Sequence, residues 1–211
     1  MIALYHALAQ GGSAMPVFAI TFCAVIITVF VLDNFFLIPE NADVTLKEKL
    51  LTGHNKGYIN RALHLSDEKI KKGEIWRLVS SSLLHVGPFH VLTNAVAVFI
   101  AGYAVESELG AVGTFACYAL STLISGLFMA FVYKLGEGEG ASPGIYGLIA
   151  VFITLAFRNG TLLFSGLPLF ALVILGLYTV SGLFGGKTVL CEHLSGFAGG
   201  LLTGLLFVFV F

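Results

Sequence analysis

Long apolar runs, separated by short polar breaks, set the pattern of this chain. The first runs from about Pro16 to Leu32 and resumes over Phe35 to Ile38, past Asp33 and Asn34. Five more follow at about 88–105, 112–134, 142–157, 161–183 and 194–211. A bilayer core takes roughly 20 residues of helix, so this pattern predicts six transmembrane helices. Breaks fall at Glu106–Gly110, Lys134–Gly140, Arg158–Gly160 and Gly185–Glu192. Short connections of this kind predict one all-α bundle over residues 16–211, preceded by a short segment at 1–15. Neither a second domain nor an internal repeat is expected.

The exception is residues 39–87, which hold eight of the eleven Lys and Arg and half of the acids. Leu46, Leu50, Leu51, Ile59, Leu63 and Leu65 are spaced through it. That mixture predicts a long polar first loop with short amphipathic pieces at the membrane interface.

Composition agrees with the pattern. Of the 211 residues 57% are hydrophobic and 11% charged, and the mean hydropathy is +0.95. Soluble domains carry roughly 25% charge, so a membrane protein is expected. A net charge of −1 lacks the clustered basic surface that nucleic acid requires. Cys23, Cys117 and Cys191 are widely spaced, with no CxxC, and predict neither a disulfide framework nor a zinc site. Residues 1–15 contain no Lys or Arg, so a cleavable signal peptide is not expected.

Few polar residues remain inside the runs, and polar groups in a bilayer are functional candidates. His90 and Asn94, at i and i+4 near the start of the second run, share one helix face. Ser142 opens the fourth run between Gly140 and Gly144, and His193 opens the sixth. Taken singly, each has a bland reading. Serine is common in membrane helices, and a histidine at the edge of a span can rest among headgroups, as is expected for His85. The glycines change the balance. Gly140 and Gly144 are four apart, as are Gly196, Gly200 and Gly204, a spacing that lets membrane helices approach closely. The fourth and sixth helices are therefore expected in contact, bringing His193 toward Ser142. Serine is a weak nucleophile until a base takes its proton. No histidine-orienting acid is evident, because Glu192 adjoins His193 and points elsewhere on a helix. The expectation is a Ser–His dyad. HExxH is absent, no aspartate lies deep in a second span, and Lys134 is separated from Ser142 by a glycine-rich loop expected to be flexible.

In combination these residues resemble the rhomboid family of intramembrane serine proteases, from about Trp76 to Gly200. Trp76-Arg77 is similar to the family's WR motif, and the segment Leu84–Asn94 to its histidine-rich HxxxN approach to the second helix. Glu106, between Gly102 and Gly110, resembles the glutamate-bearing turn that follows. Gly140-Ala141-Ser142 with Tyr146 resembles the GxSG region, and His193 with Gly196 and Gly200 the histidine helix.

The resemblance implies a rhomboid-like six-helix bundle with Ser142 as nucleophile and His193 as general base. His90, Asn94 and the Ser142 N–H would stabilise the oxyanion. It further implies Tyr146 packing on the His193 ring, and Arg77 and Glu106 tying the first loop to the bundle. The implied activity is cleavage of transmembrane segments of other membrane proteins at or near the bilayer surface, with neither metal nor organic cofactor. Partners would be such substrates and the lipid bilayer, not nucleic acid. A catalytically inactive rhomboid-like protein that binds membrane helices is the alternative, and a transporter is poorly supported without a repeat. Pro143 stands where the family usually has glycine. Proline lacks an N–H but suits a first helical turn. The Lys/Arg count would put the first loop in the cytoplasm. The family implies the opposite, a multi-pass protein of the cell membrane with its active site opening to the outer face.

Overall fold

The computed structural model describes residues 15–160, 173, 176–180 and 184–210. Helix α1 (Val17–Val31) is extended by a π-helical turn, Leu32–Phe36. Next come a second π-helical turn (Glu48–Thr52), α2 (Tyr58–Leu63), a two-residue strand β1 (Leu65–Ser66), α3 (Asp67–Lys71) and α4 (Arg77–Ser80). The long helical element α5 (Pro88–Leu127) runs on as a π-helical turn to Tyr133. Strand β2 (Glu137–Gly138), α6 (Ser142–Arg158) and α7 (Gly186–Val210) complete the order.

Three helical stretches are long and apolar enough to cross a membrane: Val17–Phe36, Pro88–Tyr133 and Gly186–Phe207. The protein is an integral membrane protein. Most of the fifth apolar run, 161–183, lies outside the described residues, although residues 176–180 are helical.

The second and third runs meet at a single residue. Gly110 leaves helical geometry (φ 67°, ψ 173°), a conformation glycine adopts without a Cβ penalty. Gly102 and Tyr118, eight residues before and after it, both reach Phe18 of α1. A straight helix would hold them about 24 Å apart. The chain therefore doubles back at Gly110, and α5 is a helical hairpin whose arms both pack on α1.

Glu106 lies just before that turn, with Oε1 accepting from Phe18 N–H at 2.9 Å and Oε2 from Ala19 N–H at 3.2 Å. These are amino-terminal donors that α1 cannot satisfy within itself, and a carboxylate there also meets the positive end of the helix dipole. This corrects the expected role of Glu106: it anchors the first helix, not the first loop.

Helices α6 and α7 meet along a glycine seam. A Cβ on Gly196 would lie 2.3 Å from Pro143 O, and one on Gly200 2.1 Å from Gly147 O. Gly144, expected on this seam, faces the returning arm of α5 instead, where its Cβ would meet the Tyr118 ring at 2.3 Å. Another boundary moves as well. Helix α7 starts at Gly186, eight residues before the sixth apolar run, so His193 sits about two turns inside it. Lys187, Thr188 and Glu192 are helical despite their polarity.

Candidate active site

Ser142 is the first residue of α6 and is 7% exposed. Its N–H belongs to the amino-terminal set that finds no partner within the helix. Pro143, the second helical residue, has no N–H to leave unsatisfied. Tyr118 supports the approach to Ser142, its hydroxyl donating to Ala141 O at 3.4 Å.

Across the seam, His193 is equally buried at 7%. Its ring stacks on Tyr146, one turn beyond Ser142, with centroids 4.1 Å apart and planes 18° apart. The Gly196–Pro143 contact lies three residues beyond His193 and one beyond Ser142, so both side chains belong to the same end of the seam. They are not hydrogen-bonded to each other in this structure.

The third wall comes from α5. A Cβ on Gly140 would lie 3.2 Å from His90 Cε1 and 3.9 Å from Ser142 Oγ, so the His90 ring and the Ser142 hydroxyl flank the same glycine. Asn94 is 1% exposed, and its Nδ2 donates to His90 O at 2.9 Å. Its Oδ1 accepts from the hydroxyl of Tyr178 at 2.7 Å.

Tyr178 escaped the sequence reading. Its ring also lies 5.6 Å from Tyr146, and the Tyr146 hydroxyl donates to Thr179 O at 3.4 Å. A hydroxyl-bearing ring inside an apolar run was the available signal, but nothing in its spacing linked it to Asn94, 84 residues away.

Loop residues close the remaining side. Asp33, at the end of the first span, accepts from Ile59 N–H at 2.7 Å and Asn60 N–H at 3.2 Å. Asn60 donates to Glu139, directly before Gly140. The glycine-rich segment expected to be flexible is thus held. Its Glu137–Gly138 pairs antiparallel with Leu65–Ser66, and Gly136 N–H donates to Asp67 Oδ2 at 3.0 Å. Burial pushes the Glu139 carboxyl up to about 7, reinforced by the charges of Asp33 and Glu137 and opposed by the Asn60 bond.

Arg77 is 3% exposed and gathers this loop. It donates to Glu74 Oε2 at 2.7 Å, His64 O at 2.9 Å and Arg61 O at 3.2 Å. Its neighbour Trp76 is 53% exposed.

His85 is buried against His90, with rings 5.0 Å apart and 67° between planes. Its ring nitrogens make no regular hydrogen bond among the described residues, the backbone of Leu83 offering only a weak one. Burial, and next the neighbouring His90, hold its pKa down at about 3. It is a neutral, enclosed histidine and not the headgroup-facing one the sequence led us to expect.

A hydroxyl, an imidazole, a carboxamide and an open helix amino terminus are the groups that acyl transfer needs. Among the described residues, no three His, Cys, Asp or Glu side chains are grouped to hold a metal ion.

The profile of the Rhomboid domain matches residues 72–209. The putative rhomboid protease YdcA of Bacillus subtilis is 28% identical over 179 residues, covering 84% of this chain and 83% of that protein. RHOMBOID-like protein 1 of Arabidopsis thaliana is 30% identical over 142 residues, covering 66% of this chain and 36% of its own length. Inactive RHOMBOID-like protein 8, also of Arabidopsis thaliana, is 28% identical over 112 residues, covering 53% and 32%. The chain thus spans most of the bacterial relative and about a third of these two plant ones. With its profile match extending over well more than half of its residues, this chain belongs to the rhomboid family.

Proposed function

We propose that the protein is an intramembrane serine endopeptidase that cuts transmembrane segments of other membrane proteins at or near the bilayer surface. Ser142 is the nucleophile and His193 the general base. His193 takes the hydroxyl proton as Ser142 attacks, then delivers it to the leaving amine. The Ser142 N–H, Asn94 and His90 stabilise the oxyanion. Tyr146 holds the plane of the imidazole, and the glycines of the seam hold the two helices close enough for the dyad to form. The single observation that carries this reading is the placement of Ser142 at an open helix amino terminus, across a glycine seam from a histidine stacked on Tyr146.

A bond between Ser142 and His193 need not exist before substrate arrives, because catalytic hydrogen bonds are often loose in unliganded sites. Water must reach the acyl-enzyme, and irregular backbone at membrane depth is tolerated where it lines a wet cavity. The non-helical segment Leu135–Ala141, which pairs with the first loop at Glu137–Gly138, would line that cavity. In this reading six helices cross the membrane, two of them the arms of α5, with the site opening to the outer face of the cell membrane.

The alternative is an inactive rhomboid-like protein that binds membrane helices. The relative named inactive keeps it in view, and Ser142 with His193 argues against it. Reconstitution with a single-span reporter separates the two. The proposal expects cleavage by the wild type, none by Ser142→Ala, and labelling of Ser142 by a fluorophosphonate. Equal cleavage by both forms refutes it. A cysteine-accessibility probe at residues 55–60 reports the orientation.

A further inference from the structure

We infer that Tyr178 is a positioning residue of the site, which fixes the carboxamide of Asn94 so that its unused N–H faces the reacting carbonyl. The inference rests on the proposed proteolytic reading. Its observations are independent of the dyad.

The carbonyl of His90 can only accept a hydrogen bond, so the group of Asn94 that meets it at 2.9 Å is Nδ2. That forces Oδ1 toward Tyr178, whose hydroxyl donates to it at 2.7 Å. The amide plane is thereby pinned at both ends. One N–H of Nδ2 is spent on His90, leaving the second for a ligand. Without the phenol, Oδ1 loses its partner in a site where Asn94 is 1% exposed. The carboxamide could then swing about its terminal torsion, which has no strong staggered preference.

The position is itself held. The Tyr178 ring packs on Tyr146 at 5.6 Å, and the next residue takes the Tyr146 hydroxyl on its carbonyl. Tyr146 in turn carries the His193 ring. Residues 178 and 179 therefore touch both Asn94 of the oxyanion site and Tyr146, the support of the base.

The test is Tyr178→Phe, which keeps the ring and its packing and removes only the hydroxyl. With the reporter, kcat is expected to fall about 10- to 100-fold, a weaker effect than deleting an oxyanion donor outright, with KM within about twofold. In an Asn94→Ala background the same change is expected to add almost nothing, since the two act through one group. Wild-type kcat in Tyr178→Phe, or an equal loss in both backgrounds, overturns the inference. A readout apart from catalysis is the Asn94 side-chain amide in NMR, where Tyr178→Phe is expected to speed hydrogen exchange about tenfold. Unchanged exchange also overturns it. Absence of Ser142-dependent cleavage would instead sink the proteolytic reading, leaving the amide measurement to judge Tyr178.

Discussion

Two surfaces meet at Ser142 and hold it by opposite means. On one side, α6 and α7 are pressed together where side chains are missing: Gly196 on Pro143, and Gly200 on Gly147. On the other, loop residues are tied by polar groups farther apart in sequence: Asp33 to α2, Asn60 to Glu139, and Arg77 to the carbonyls of His64 and Arg61. A seam made by close backbone approach has no slack, because any added atom must displace the opposing main chain. A hydrogen-bonded frame gives way one bond at a time. The seam should control catalysis in an all-or-none manner, and the frame should mainly control stability.

The largest effect is expected at the seam. Gly200→Val puts its first added carbon 2.1 Å from Gly147 O. Separating the helices by even about 1 Å is expected to lower cleavage by more than about 100-fold. Near-normal cleavage by this variant would break the comparison. In the frame, Arg77→Ala strips partners from Glu74 and two carbonyls and is expected to cost about 2–4 kcal/mol of stability. Denaturation in detergent measures that loss, while kcat of the remaining folded protein should stay within about threefold. A collapse of kcat without loss of stability would show that the frame also sets the chemistry.

The frame also predicts a pH profile of its own. Glu139 has its pKa raised from 4.5 to about 7, so the fold holds this proton more tightly than the unfolded chain. Its contribution is fully present below about 4.5 and is lost as pH rises to about 7, at up to about 1.4 kcal/mol per pH unit. His85 is shifted the other way, from 6.5 to about 3, so charging it costs stability as pH falls below about 6.5. Thermal midpoints across pH should fall more steeply toward acid in Glu139→Gln, and less steeply in His85→Gln. Parallel profiles for both variants and the wild type would overturn these assignments.

The smallest effect belongs to Glu106. Replacing it with Gln removes a charge from the α1 amino terminus and is expected to cost about 0.3–1 kcal/mol. Cleavage should be unchanged, since this anchor lies far along α5 from His90.

What could be read without coordinates follows from local physics. Apolar runs of bilayer length mark helices whatever their neighbours, and the glycines at 196 and 200 announced a close helix contact because small residues have few other uses at that spacing. The placement of Gly144 was misread because a glycine reports that something approaches, not which helix does. Glu106 was misassigned for a similar reason, since a carboxylate carries no sign of whose N–H groups it will meet.

By itself, the sequence indicated a membrane bundle, the α7 half of the seam at Gly196 and Gly200 and a candidate dyad, from composition, short-range period and a family resemblance. The tertiary structure alone decided that the break foreseen at Glu106–Gly110 is a tight reversal at one glycine, that α7 starts early enough to bury His193, and that Glu139, His85 and Tyr178 lie around the candidate site. These rest on partners such as Asn60 with Glu139, 79 residues apart, and Asn94 with Tyr178, 84 apart. A hydrogen bond between distant residues leaves no periodic trace along the chain, so only the folded backbone could bring those atoms together.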